Sequence, residues 1–281
     1  MSDAPTTASI EASGQVGEPV PEPVPSAPRK PEPDEVAVPP LAERVEGVLG
    51  APFETLRRHD ATWGWVGPWV VVSLIGLLFG LVYLARIDVV AVQEAERERA
   101  FERMPAAQRR AMEQPEVQET MATMAKFGAF IARVGLVLGP ALMGLVGLVV
   151  AGGYVFVAAL VHAKRGARVD LARSISLAAH AALANVVTYA ASIFGALAGN
   201  PRPNPSPGAF FDPFDHPLLG ALLGRLEPGV VLYYVILMAG LTGSIGLSRN
   251  RALTVTFAAW FAATLLTLAM AGAAMTMGGG S

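Results

Sequence analysis

The chain has 281 residues and no cysteine. Disulfides, thiolate catalysis and cysteine-ligated zinc are therefore excluded, and the redox compartment is left open. Histidine is scarce too. His59, His162, His180 and His216 stand singly, with no second histidine or carboxylate at zinc-ligand spacing. No glycine loop runs into Lys-Ser/Thr as a phosphate cradle requires, and the glycines at 278–280 only close the chain. Nothing resembles a nucleophile elbow. The start MSDAPTTASIEASG has neither a basic stretch nor an apolar one, so no cleavable signal peptide is read there. The first apolar segment is then expected to act as an uncleaved anchor. These absences lead to the expectation that the protein is not an enzyme and uses no cofactor and no metal.

The most informative absence is that of charge. Charged residues are 16% of the chain and apolar ones 53%. Five stretches carry no Asp, Glu, Lys or Arg at all: 63–85, 134–161, 174–201, 228–248 and 252–281. A helix needs about 20 mostly apolar residues to cross about 30 Å of hydrocarbon. Each stretch reaches that length. A soluble bundle of long core helices would keep a polar stripe along each helix, whereas 134–161 is apolar on every face. The expected fold class is all-α: a polytopic membrane bundle of about five spans, near 66–85, 128–160, 174–199, 230–247 and 253–274, within a domain covering 63–276.

The remaining segments differ sharply in composition. Residues 1–40 hold 10 of the 22 prolines, with seven acidic residues against Arg29 and Lys30. Such a segment buries too little apolar surface to offset the entropy of ordering, so a disordered, acidic, extended tail is expected. It serves either as a spacer or as an arm for a proline-recognising partner. Over 41–62, Leu41, Val45, Val48, Leu49, Phe53 and Leu56 recur at helical spacing opposite charged residues, and Trp63, Trp65 and Trp69 follow. This reads as an amphipathic juxtamembrane helix, lying on the membrane surface or packed on the bundle. Region 88–126 is charged and helical, with Glu94/Arg97 and Glu96/Arg99 three apart. Pro105 and Pro115 divide it.

Orientation follows from basic residues in short loops. Lys164, Arg165, Arg168 and Arg173 mark one loop, Arg249 and Arg251 another, and Arg44, Arg57 and Arg58 precede the first span. All three belong inside. Loop 200–229, with only Arg202 and Arg225, belongs outside. Region 88–126 runs against this assignment, because its basic residues then face out. Five spans place the N-terminus in the cytoplasm and the C-terminus outside.

Two sets of span residues are candidates for function. His180, Asn185 and Thr188 recur on one side of the third span. They read either as a polar path for a proton or solute, or as interhelical hydrogen bonds. No carboxylate lies within the five spans as drawn, which favours the second. Gly135 and Gly139, Gly195 and Gly199, and Ala239 and Gly243 have the small-xxx-small spacing that lets helix backbones touch, within the chain or between copies.

The order of these features resembles the Yip1 family in its bacterial form. The resemblance rests on VEGVLGAPFETLRR and WGWVGPWVVVSLIGLL at the first span, ARSISLAAHAALANVVTYAASIFGAL at the third, and FFDPFDHPLL followed by LYYVILMAGLTGSIGLSRNRAL at the close. It implies five spans in the plasma (inner) membrane, with a cytosolic N-terminus, and a role in membrane organisation or partner scaffolding. The long tail and the Pro/Gly loop 200–209 depart from the family pattern, and no partner-contacting residue is carried over. The alternative is a transporter or channel component using the polar faces of spans three and five. Expected partners are the lipid bilayer, a membrane or cytoplasmic protein, and a second copy of the chain. Nothing points to nucleic acid.

Overall fold

A computed structural model describes residues 38–59, 63–102, 104, 106–162, 169–211 and 215–278. The expectations for the tail before residue 38, for Lys164, Arg165 and Arg168, and for 212–214 lie outside these. Among the described residues the regular elements are helices and there is no strand. They are α1 (Leu41–Gly50), α2 (Pro52–Thr55), α3 (Val66–Arg86), α4 (Val89–Glu102), α5 (Ala106–Met112), α6 (Pro115–His162), α7 (Leu171–Ala182), α8 (Asn185–Leu197), α9 (Pro217–Gly224), α10 (Pro228–Gly243) and α11 (Arg249–Gly278).

Local chemistry sets several boundaries. Asp88 accepts from the backbone N–H groups of Val90 (2.9 Å) and Ala91 (3.2 Å), starting α4 where α3 has just ended. Asp170 caps α7 through the N–H of Ala172 at 3.0 Å. Prolines open α2, α9 and α10, where the missing N–H costs nothing. The amphipathic segment is broken at Ala51 before Pro52, so it forms two short helices rather than one.

Four helical stretches are long and apolar enough to cross a bilayer: Val66–Arg86, Pro115–His162, Leu171–Leu197 and Arg249–Ala273. The helix at 48 residues, α6, rises about 72 Å at 1.5 Å per residue, more than twice the hydrocarbon thickness. Its first turns, with exposed Glu116, Glu119 and Lys126, are thus one rod with the span at 128–160. The stretch Leu171–Leu197 is α7 and α8 in tandem, joined through Leu183 and Ala184.

The span expected at 230–247 takes a different form. Helix α10 has 16 residues, about 24 Å, too few to cross alone. Helix α9 (PLLGALLG) precedes it at a bend of 46°. Contacts at the two ends of α3 show what this pair does. At the C-terminal end of α3, Tyr83 donates to the carbonyl of Pro201 (2.8 Å) and Arg86 to that of Leu197 (3.1 Å). Before its N-terminal end, a side chain at Gly243 would meet the carbonyl of Leu56 at 2.7 Å, and Ser244 bonds to His59. The chain therefore travels from one end of α3 to the other between 201 and 243. The bent pair α9–α10 covers that distance and is the fifth candidate span.

The largest buried cluster joins α7, α10, α6 and α1–α2 around Val48, Leu56, Val155, Leu177, Ile236 and Leu241, all fully buried. The opposite surfaces are apolar and bare. Phe127, Phe130 and Val150 on α6 and Phe257, Leu266 and Met270 on α11 are each at least 60% exposed. A soluble domain would hide such a belt; a bilayer solvates it. Lipid tails are as apolar as leucine, so close packing rather than transfer from water holds the helices together.

Candidate functional site

Helix-to-helix approach is decided by glycines on α3. Pro140 sits inside α6 and supplies no N–H, so the carbonyl of Leu136 loses its intrahelical donor. That carbonyl is aimed at Gly80, where any Cβ would collide with it, and Gly76 meets the Pro140 ring in the same way. The proline frees an acceptor, and the glycine brings a Cα–H to it. Gly240 lies against Leu177 and Gly152 against Ile175, where a Cβ at Gly152 would be 2.8 Å away.

The small residues chosen from spacing behave unevenly. Gly135 and Gly139 have open space where a Cβ would stand, so they bring no helix close within the chain. Gly195 makes room for Pro203 of the following loop (2.8 Å) rather than for a helix, and Gly199 ends α8 at a φ of +79° with nothing near. Ala239 is fully buried, and Gly243 receives the backbone of Leu56 and Arg57.

His180, Asn185 and Thr188 do not come together; each has a separate neighbourhood. His180 is fully buried on α7, with its Nδ1 2.7 Å from the carbonyl of Ser176. A carbonyl only accepts, so Nδ1 carries the proton. Its ring packs on those of His59 (5.1 Å) and Trp63 (5.5 Å). The neighbouring hydrogen bonds form an ordered chain. Ser176 Oγ donates to the carbonyl of Gly64 at 2.9 Å, and so must accept from His59 Nε2 at 3.0 Å. A neutral His59 then accepts at Nδ1 from Ser244 Oγ at 2.8 Å. Arg44 on α1 donates to the carbonyl of Trp63, with its guanidinium 5.8 Å from the Trp63 ring centre. Burial lowers the Arg44 pKa below its ordinary value. The result is a clamp joining α1, the turn before α3, α7 and the end of α10.

Thr188 on α8 donates to the carboxylate of Glu227, which is 9% exposed and stands at the N-cap position of α10. Two residues earlier, Arg225 donates to Tyr234 Oη at 3.2 Å. Both charges sit at the break between α9 and α10. Ionisable groups in such a place are functional candidates by default.

Asn185 faces a third environment. A partly open cavity of about 520 Å³ lies between α3, α6, α7–α8 and α10. One wall is apolar, with Val72, Phe79, Leu136 and Leu148; Gly135 and Gly139 line it as well. The other carries Asn185, Tyr189, Tyr233, Tyr234 and Arg225. Among the described residues no group of three His, Asp or Glu is placed to hold a metal ion.

Sequence reading missed His59, Ser176 and Ser244 because a polar bridge between segments 117 and 185 residues apart leaves no local pattern. The signal for Glu227 was present as Glu-Pro-Gly between two apolar runs, an acidic residue before a helix-opening proline.

The fold and its contacts define a polytopic α-helical membrane protein. Searches of family models, of curated proteins and of solved structures find no match for this chain.

Proposed function

We propose that the protein is a non-enzymatic membrane organiser or partner scaffold of the Yip1 type, resident in the plasma (inner) membrane. The observation that carries this reading is the clamp. Ser244, His59, Ser176 and Gly64 tie α1–α2 to the bundle, so the chain before Val38 starts from a fixed point. Arg57, Arg58, Arg249 and Arg251 are exposed at this same end, where the Arg57 backbone lies beside Gly243 and Arg251 donates to the carbonyl of His162 (2.8 Å). Basic residues gathered at one end favour the cytoplasmic side. The N-terminus is thus cytoplasmic and, after five crossings, the C-terminus outside. In this reading the proline-rich tail is the arm that engages a protein partner.

The broken helix favours a second reading, a transporter, since discontinuous spans with charged residues at the break are a device of transport sites. One paired experiment separates the two. Affinity purification from native membranes should recover a protein with the full chain that is lost when residues 1–40 are deleted. Proteoliposomes of the full chain should show no proton or solute flux above empty vesicles. A flux abolished by Glu227→Gln would replace the scaffold reading with the transporter one.

A further inference from the structure

We propose that the cavity between α3, α6, α7–α8 and α10 binds an anionic lipid, its acidic head held by Arg225 and its acyl chain lying along α6. Charge is the first argument. Among the described residues lining the cavity, Arg225 alone is charged and none is a carboxylate. The guanidinium spends one donor on the neutral Tyr234 hydroxyl, while its Nε is shielded from solvent and has no hydrogen-bond partner among the described residues. The nearest carboxylate in sequence, Glu227, is engaged by Thr188 on α8. An arginine cation in an apolar setting is costly until an anion pairs with it, and phosphate and carboxylate both match its fork of donors.

Shape is the second argument. The cavity is walled by α6 from Gly135 to Ala151, a rise of about 24 Å along the helix, suited to an extended alkyl chain. Gly135 and Gly139 leave open space on that wall where any other residue would project. Tyr189, Tyr233 and Tyr234 share the wall that carries Arg225, and the facing wall of α6 is apolar through Leu136, Met143, Leu148 and Ala151. A head-and-tail amphiphile fits that division; a wholly polar solute does not. The cavity is partly open, and the solvent around this part of the chain is lipid.

The test uses the full chain purified in a non-ionic detergent, with brominated lipids that quench tryptophan by contact, because Trp69 lines the cavity. Three probes are titrated: dibromo-phosphatidylglycerol, dibromostearate and dibromo-phosphatidylcholine. Saturable quenching by at least one anionic probe is expected, and it should be absent in Trp69→Phe. Arg225→Gln should raise the half-saturating concentration at least tenfold, Gly139→Phe should remove the saturable component by filling the space, and Arg202→Gln should change neither. The zwitterionic probe should quench without saturating. Saturation by phosphatidylglycerol alone assigns a phosphodiester head, and by stearate alone a carboxylate. Equal quenching by anionic and zwitterionic probes would overturn the proposal. So would an unchanged titration in Gly139→Phe, which bears on the same site if Arg225→Gln does not fold.

Discussion

Replacing Gly80 with alanine is expected to destabilise the bundle by about 2 kcal/mol, whereas the same change at Gly135 should be neutral or stabilise by up to about 1 kcal/mol. Both glycines lie inside membrane helices, so both gain the same helix propensity on becoming alanine. They differ in what the new methyl meets. At Gly80 it collides with the carbonyl of Leu136, which Pro140 has left without its intrahelical donor; at Gly135 it enters open space. A backbone carbonyl cannot rotate away as a side-chain tip can, so α3 and α6 must separate. Thermal unfolding of the two variants in detergent measures the difference directly. Equal stabilities would mean that the α3–α6 approach at Gly80 is not the close contact described.

Trp63→Ala is expected to cost about 3–5 kcal/mol, the range for deleting a large buried aromatic. Its ring is 6% exposed and fills the space between His59 and His180, with Arg44 beside it. Removing it leaves a void under the segment that ties α1–α2 to α7. His59→Ala should cost less, about 1–3 kcal/mol, since it leaves the hydroxyls of Ser176 and Ser244 to find new partners. Both variants should speed amide hydrogen exchange in 41–59 while exchange in α6 stays unchanged. Faster exchange spread evenly over all helices would show that the clamp is not a local device.

How far the sequence could be read depended on which physical signal each element leaves. Charge-free runs mark α3, the membrane part of α6, α7–α8 and α11, because hydrocarbon tolerates no unpaired charge over about 20 residues. The same test marks α10 through the charge-free run 228–248 but hides α9. Arg225 and Glu227 interrupt the apolar run, and the eight residues of α9 are too few to register as a span, so both charges fall in the stretch 200–229 that reads as an outer loop. Small-residue spacing identified Gly135 and Gly139 as contact positions, but spacing carries no information on whether another helix stands opposite; here a cavity does. His180 was legible as a buried polar residue. Its partners were not, since His59 approaches from 121 residues away in the chain. Asn185 and Thr188 lie one turn apart on α8, but the five residues from His180 to Asn185 rotate the helix by about 140°, which turns His180 to another side.

The central claim, that α9–α10 is one broken crossing and the chain therefore spans five times, can be tested on a protein that lacks cysteine altogether. Single cysteines at Ala42, which is exposed on α1, and at Ser281 can be probed in intact cells with a membrane-impermeant maleimide. Five crossings with a cytoplasmic N-terminus predict labelling at Ser281→Cys and none at Ala42→Cys until the membrane is permeabilised. The same accessibility for both positions would put them on one side of the membrane and contradict the account.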